Sequence, residues 1–204
     1  MIVYTCITND YDDLKDPTVI TPGWEYICYS DVEQRSDVWD CRITEKTQRE
    51  VKILGYHEFG HEPALYVDGS IQIMGNLDNF VRGIRSDFSL WKHPDRDCIF
   101  DEAEAVVNLR GQDKARVDEQ MKRYDAIPRH WGLGQTGVMF RDFSVEWVRA
   151  LSYIWYQEVR QGVSRDQLSL SYLSWLMGRK PFFIPEAVIG RHFRLFHHKR
   201  EYYL

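Results

Sequence analysis

Three short apolar runs constrain this chain more than any other feature: "MIVYTCIT" at 1–8, "GWEYICYSD" at 23–31 and "PALYVDGSIQI" at 63–73. Each reads as a strand with little alternation, the pattern of a strand covered on both faces. Such strands need helices on either side, which makes the expected fold α/β with a mixed sheet between helical layers. The runs also close on polar residues: Thr5 and Thr8, then Asp31, then Asp68. Ligands in open α/β sheets bind beyond the carboxyl ends of the strands. If the three strands are neighbours, these residues line one rim.

The rest of the chain fits this frame. "VWDCRIT" at 38–44 reads as a further strand, and "KTQREVKILGYHEF" at 46–59 has helical spacing. "MGNLDNFVRGIR" places Leu77, Phe80, Val81 and Ile84 on one helical side. "WKHPDRDC" reads as a loop, and 99–127 as helix with a break at Gly111. "GLGQTGVMFRDF" is a glycine-led strand, followed by an amphipathic helix over 144–162 with Ser144 as its cap. A second helix over 164–178 has Ser164 as cap and Gly178 as stop, and "KPFFIP" is a short late strand. The tail from Gly190 is basic and aromatic.

A length of 204 residues suits one domain with a single large core. With 44% apolar and 14% aromatic residues the composition is globular. A net charge of −5 argues against a general nucleic-acid binder. Cys6, Cys28, Cys41 and Cys98 show no CxxC spacing and read as reduced thiols of a cytosolic-type compartment. The N-terminus lacks the basic start of a signal peptide, and no run reaches the ~18 apolar residues of a membrane span.

Several chemistries are disfavoured. There is no GxGxxG or GxxxxGK[ST] phosphate loop, and "GLGQTG" precedes a strand instead of opening a helix. Zinc lacks both HExxH and paired cysteines, and there is no GxSxG elbow. A carboxylate-centred site remains. Asp68 at a strand end suits a hard divalent cation, which prefers oxygen ligands. Arg49 and Lys52 lie one helical turn apart and share a face, either as surface charge or as a pair for a diphosphate. Asp166 stands near a helix N-terminus, as a partner of the helix dipole or as a general base.

Five stretches in fixed order carry a resemblance: Arg49, Lys52 and His57 as RxxKxxxxH, then "YVDGSIQI", "KHPDRDCIFDEAEA", "GLGQTGVMFRD" and "WYQEVRQGVSRDQLSLSYL". Together they resemble a glycosyltransferase-like family with members in the plant Golgi, bacteria and large algal viruses, most of all its viral capsid-sugar glycosyltransferase domain. The resemblance implies a GT-A-like three-layer α/β/α sandwich, a single domain over 1–204. Its nucleotide-binding part would span about 1–75 and its acceptor and catalytic part about 76–204. It implies a UDP-sugar or similar donor, a glycan or glycoprotein hydroxyl as acceptor, and Mn²⁺ or Mg²⁺. It also implies a cytoplasmic setting, the host's if the chain is viral, and admits further domains beyond this one.

The family's Asp-x-Asp motif has Tyr66 at its first position here, so Asp68 remains as metal ligand. His192 is expected as the second ligand, with His197 and His198 as rivals. The nucleotide is expected near Thr5 and Thr8 with Asp31 toward the base, and Arg49 and Lys52 at the phosphates. Ser70 and Gln135 complete the donor side, His93 and Arg141 the acceptor side. Asp166 matches the family's Arg-Asp-Gln aspartate and is the expected base of an inverting transfer. Two rival readings are a nucleotide-sugar hydrolase or pyrophosphorylase, and a carbohydrate-binding scaffold whose 7 Trp and 12 Tyr supply stacking surfaces.

Overall fold

The computed structural model describes residues 1–163 and 165–199. A seven-stranded mixed sheet forms its centre. The strands are β1 (Ile2–Ile7), β2 (Glu25–Ser30), β3 (Asp40–Ile43), β4 (Pro63–Val67), β6 (Phe88–Lys92), β7 (Gly134–Asp142) and β8 (Phe182–Ile184). They lie in the order β3-β2-β1-β4-β7-β6-β8. β7 runs antiparallel to both of its neighbours, and every other pairing is parallel. A separate two-stranded sheet pairs β5 (Ile71–Ile73) with β9 (Phe193–Leu195).

Alternation along the central strands sorts side chains into two cores. Ile2, Tyr4, Cys6, Ala64 and Tyr66 face α1 (Gln48–Leu54), α6 (Glu146–Gln161) and α7 (Asp166–Leu176), where they meet Val51, Leu151, Trp155 and Leu170. Val3, Leu65 and Val67 face the other way, toward Leu77 and Phe80 of α3 (Leu77–Arg82) and Ile189 of α8 (Glu186–His192). A third cluster joins α4 (Ile99–Arg110) and α5 (Lys114–Arg123) to Leu168 of α7. The result is the expected three-layer α/β/α arrangement around a mixed sheet.

Several local expectations change. The run at 63–73 is two strands in two sheets, because Asp68 to Ile71 form a turn closed by Ile71 N–H on Asp68 O at 2.8 Å. The helix at 46–59 divides at Gly55 into α1 and α2 (Tyr56–Phe59), and the ring of Tyr4 sits against that break. β6, α8 and β9 are elements that the sequence reading left out. Ser144 is not the cap of α6: its N–H and Oγ both bond Asp142 Oδ1, and Val145 holds the cap position. Ser164 lies outside the described residues. Gly178 does end α7, with φ of +63° two residues past the helix.

Gly132 and Gly134 allow close packing ahead of the cavity. A Cβ on Gly134 would collide with Leu90, and one on Gly132, at φ +123°, with the ring of Phe183. They let the start of β7 lie tightly against β6 and under the Phe183 ring that β8 sends across it. The register of β6 on β7 also jumps there: Leu90 faces Met139 but Trp91 faces Gln135, so 136–138 bulge. Bulges re-aim side chains beside functional sites. This one turns Thr136 into the cavity described next.

Candidate functional site

β2, β1 and β4 are parallel neighbours, as the rim argument requires. Beyond their carboxyl ends lies a cavity of about 560 Å³, a size that accommodates a small organic ligand. Of the expected residues, Thr8, Arg49, Lys52, Asp68, Ser70, His93, Gln135 and Asp166 all line it.

Its most ordered feature is a buried ion cluster. Asp166, the first residue of α7, accepts on Oδ2 from Arg49 Nη1 at 2.7 Å and Thr136 Oγ1 at 3.0 Å, with Lys52 Nζ at 2.9 Å. Lys52 Nζ also donates to Thr136 Oγ1 at 2.8 Å. Burial pushes the Asp166 carboxyl up, but the charges of Arg49 and Lys52 outweigh it and hold it well below the usual carboxylate range. The two cations come from one face of α1, which Thr47 starts by accepting from Glu50 N–H.

Asp68 follows β4. Its Oδ1 accepts from Gly69 N–H at 3.0 Å and from the Tyr66 hydroxyl at 3.4 Å. Tyr66 in turn accepts from Gln48 Nε2 at 2.6 Å, and Lys52 Nζ lies 5.4 Å from its ring centre. Tyr66, two residues before Asp68, thus links Asp68 to the cationic face of α1. Burial, then the nearby Asp68 charge, raise its phenol well above the ordinary value, so it stays a donor.

The opposite wall centres on Glu102, fully buried in α4. It accepts from Arg96 Nε at 2.7 Å and Arg165 Nε at 3.3 Å. His93 Nε2 is 3.6 Å from it, while Nδ1 accepts the backbone N–H groups of Asp95 and Arg96. Arg96 Nη2 also lies 3.1 Å from Nε2, and burial lowers the ring's pKa. His93 lines the cavity, but both nitrogens are engaged in shaping the 93–96 loop.

Four expected positions fall elsewhere. Arg141 is a correction: its guanidinium is wholly buried outside the cavity wall. It donates to Ile53 O at 2.8 Å, and also to Lys52 O and the Tyr4 hydroxyl. Those carbonyls end α1 and have no helical partner of their own, so the cation satisfies a helix C-terminus. His192 is likewise displaced from the Asp68 region. It sits against Gly75 and Phe80, with Nδ1 on Val188 O, because β9 carries it to the far end of β5. Asp31 is exposed and accepts from Asn9 N–H at 2.8 Å, pinning the left-handed turn of Asn9 and Asp10 instead of lining the cavity. Thr5 is buried within β1, with no hydrogen-bond partner for its hydroxyl.

Of the rival histidines, His197 is exposed, whereas His198 lines the cavity with Nδ1 3.0 Å from buried Asp12. Phe196 N–H bonds Ser70 O, and Lys199 reaches Asp10 and Asp13, so this last segment crosses the loop after β1. Asp12, Glu102, Thr136 and Arg165 are cavity residues that sequence reasoning missed. Thr136, Glu102 and Arg165 lie inside stretches quoted for the resemblance, Arg165 beside Asp166 itself, whereas Asp12 carried no such signal. For a cation, the cavity offers oxygen donors at Asp68 and Asp12, fitting a hard divalent ion that takes one or two carboxylates plus phosphate and water. Among the described residues, no three potential ligands converge within it.

A mixed sheet with helices on both faces and a charged cavity over its parallel strand ends defines a GT-A-like fold. The family model of the TOD1/MUCI70, glycosyltransferase-like domain matches residues 64–194, and the chain belongs to that family. No curated protein matches the chain. The match spans Asp68, Glu102, Thr136 and Asp166, while Arg49 and Lys52 lie before it. None of the described helices is long and apolar enough to cross a membrane.

Proposed function

We propose that the chain transfers a sugar from a nucleoside-diphosphate donor, a UDP-sugar by preference, to a hydroxyl of a glycan or glycoprotein. The observation that carries this reading is the Arg49–Lys52–Asp166 cluster facing Asp68 across one cavity. The donor would lie over the ends of β1 and β4, within 1–75, beside Thr8, Ser70 and Gln135. Residues 76–204 would supply the acceptor side, where the 93–96 loop and Glu102 shape the wall.

Asp68 would hold Mn²⁺ or Mg²⁺, which when bound neutralises a diphosphate as it leaves. Arg49 and Lys52 bind phosphate oxygens by charge-assisted hydrogen bonds. Donor phosphates and Asp166 draw on the same two cations. A bound diphosphate therefore weakens their hold on Asp166 and restores its basicity. Asp166 then takes the acceptor hydroxyl's proton. The acceptor oxygen bonds to the anomeric carbon, the bond from that carbon to the diphosphate breaks, and its electron pair departs with the nucleoside diphosphate. Attack opposite the leaving group inverts the configuration.

Calorimetric titration of UDP-sugars with and without Mn²⁺ tests the reading. Asp68→Asn should abolish the gain in affinity that Mn²⁺ brings, and an unchanged gain rejects the assignment. Product anomericity by NMR should show inversion, and retention removes Asp166 from its role. Donor consumed equally fast without acceptor would favour a hydrolase.

A further inference from the structure

A second cluster lies outside the cavity, where the 93–98 loop enters α4. Cys98, Asp101 and His130 each offer one ligand atom, all within 4.8 Å of one another. They come from two chain segments about thirty residues apart, brought together because Gly132 N–H bonds Asp97 O at 3.0 Å. Arg129 stacks over Phe100 at 4.8 Å, holding the 128–132 segment on the first turn of α4.

Cys98 is 1% exposed and is a free thiol. It occupies the cap position of α4 without capping it. His130 is held by Asp97, whose Oδ1 lies 2.6 Å from Nδ1. A carboxylate behind an imidazole is the arrangement that orients metal-bound histidines and leaves the other nitrogen's lone pair outward. His130 also adopts a left-handed backbone, φ +58°, which a non-glycine residue rarely takes.

We propose that Cys98, Asp101 and His130 bind a zinc ion, with water as the fourth ligand. A thiolate, an imidazole and a carboxylate suit Zn²⁺ better than Mg²⁺ or Ca²⁺, which seek oxygen alone. Tetrahedral zinc with bonds of about 2.0–2.3 Å spaces its ligands by about 3.5 Å. The three ligand atoms lie within 4.8 Å of one another, and the exposed Asp101 carboxylate has the room to close that gap by rotation. The ion fastens the segment before β7 to the start of α4. Because the adjoining loop carries His93 and Arg96, it also stiffens one wall of the cavity. This inference does not depend on what the cavity binds.

The test uses the full chain, stripped by chelation and titrated with Co²⁺ as a spectroscopic substitute, then with Zn²⁺. One Co²⁺ per chain should give a thiolate-to-cobalt charge-transfer band, whatever the cavity also takes up. Cys98→Ser should abolish the band, and His130→Ala, at an exposed position, should weaken binding at least tenfold. Asp97→Asn should weaken it by about 10- to 100-fold. Zinc should raise the melting temperature of the wild type but not of His130→Ala. Absence of the band, its persistence in Cys98→Ser through Cys41, or unchanged affinity in His130→Ala overturns the proposal.

Discussion

Asp166 is the residue on which the cavity's electrostatics turn. Its carboxylate balances Lys52, which is as buried as it is, and the partly exposed Arg49. Removing one partner of a buried ion pair leaves an uncompensated charge, so Asp166→Asn should destabilise the fold by about 3 kcal/mol near neutral pH. The pH dependence has a definite sign. The folded-state pKa lies below the unfolded value of about 3.9, so this stabilisation is present above that value and fades as pH falls through the folded one. Wild-type stability from urea melts should therefore drop below about pH 4, with a shallower drop in Asp166→Asn. Equal slopes would mean that another carboxylate governs the acid limb. Asp68 and the Arg49–Lys52 pair were legible because a polar residue after an apolar run, and cations one helical turn apart, are local patterns, although the same pattern at Asp31 led outside the cavity. Glu102 and Asp12 were not, since nothing nearby in sequence announces that they become buried. Arg141 misled for a related reason: its partners are the carbonyls that end α1, nearly ninety residues upstream.

At the scale of elements, the long amphipathic helix α6 and the apolar strands β1, β2 and β4 could be read directly, because each has a clear period or a run of buried residues. β6 spans only Phe88–Lys92 with no alternation, and its place beside β7 follows from a long-range pairing. β9 exists by virtue of β5, more than a hundred residues earlier. The break between α1 and α2 has its cause in another element. A Cβ on Gly55 would lie 2.7 Å from Cζ of Tyr4, whose hydroxyl donates to Lys52 O at 2.9 Å. Gly55 has ordinary helical torsions, so space and not backbone freedom requires glycine there. Gly55→Ala should cost about 1–3 kcal/mol by overpacking. Gly190, inside α8, meets nothing within 4 Å, and alanine there should add about 0.5–1 kcal/mol. Thermal melts of the two variants should move in opposite directions, and a neutral Gly55→Ala would show that Tyr4 can shift.

For the whole molecule, the matched region 64–194 begins inside the central sheet, not at a boundary. β4 forms the seam: Ala64, Leu65 and Tyr66 pair with Ile2, Val3 and Tyr4 on one side and with Arg141, Phe140 and Met139 on the other. The cavity straddles the same seam, with Arg49 and Lys52 before it and Thr136 and Asp166 after it. Cutting there would expose the edge of a strand buried on both faces and leave Asp166 buried without its cations, which favours aggregation over folding. A fragment of residues 64–204 should therefore lack a cooperative thermal transition and native-like NMR dispersion, whereas the full chain unfolds in one step. A fragment that folds alone would make 1–63 a separable unit and would place Arg49 and Lys52 on a part free to move relative to Asp166. One cooperative unit instead keeps Arg49 and Lys52 at fixed distance from both Asp68 and Asp166, the geometry that the proposed competition of a diphosphate and a carboxylate for the same two charges requires.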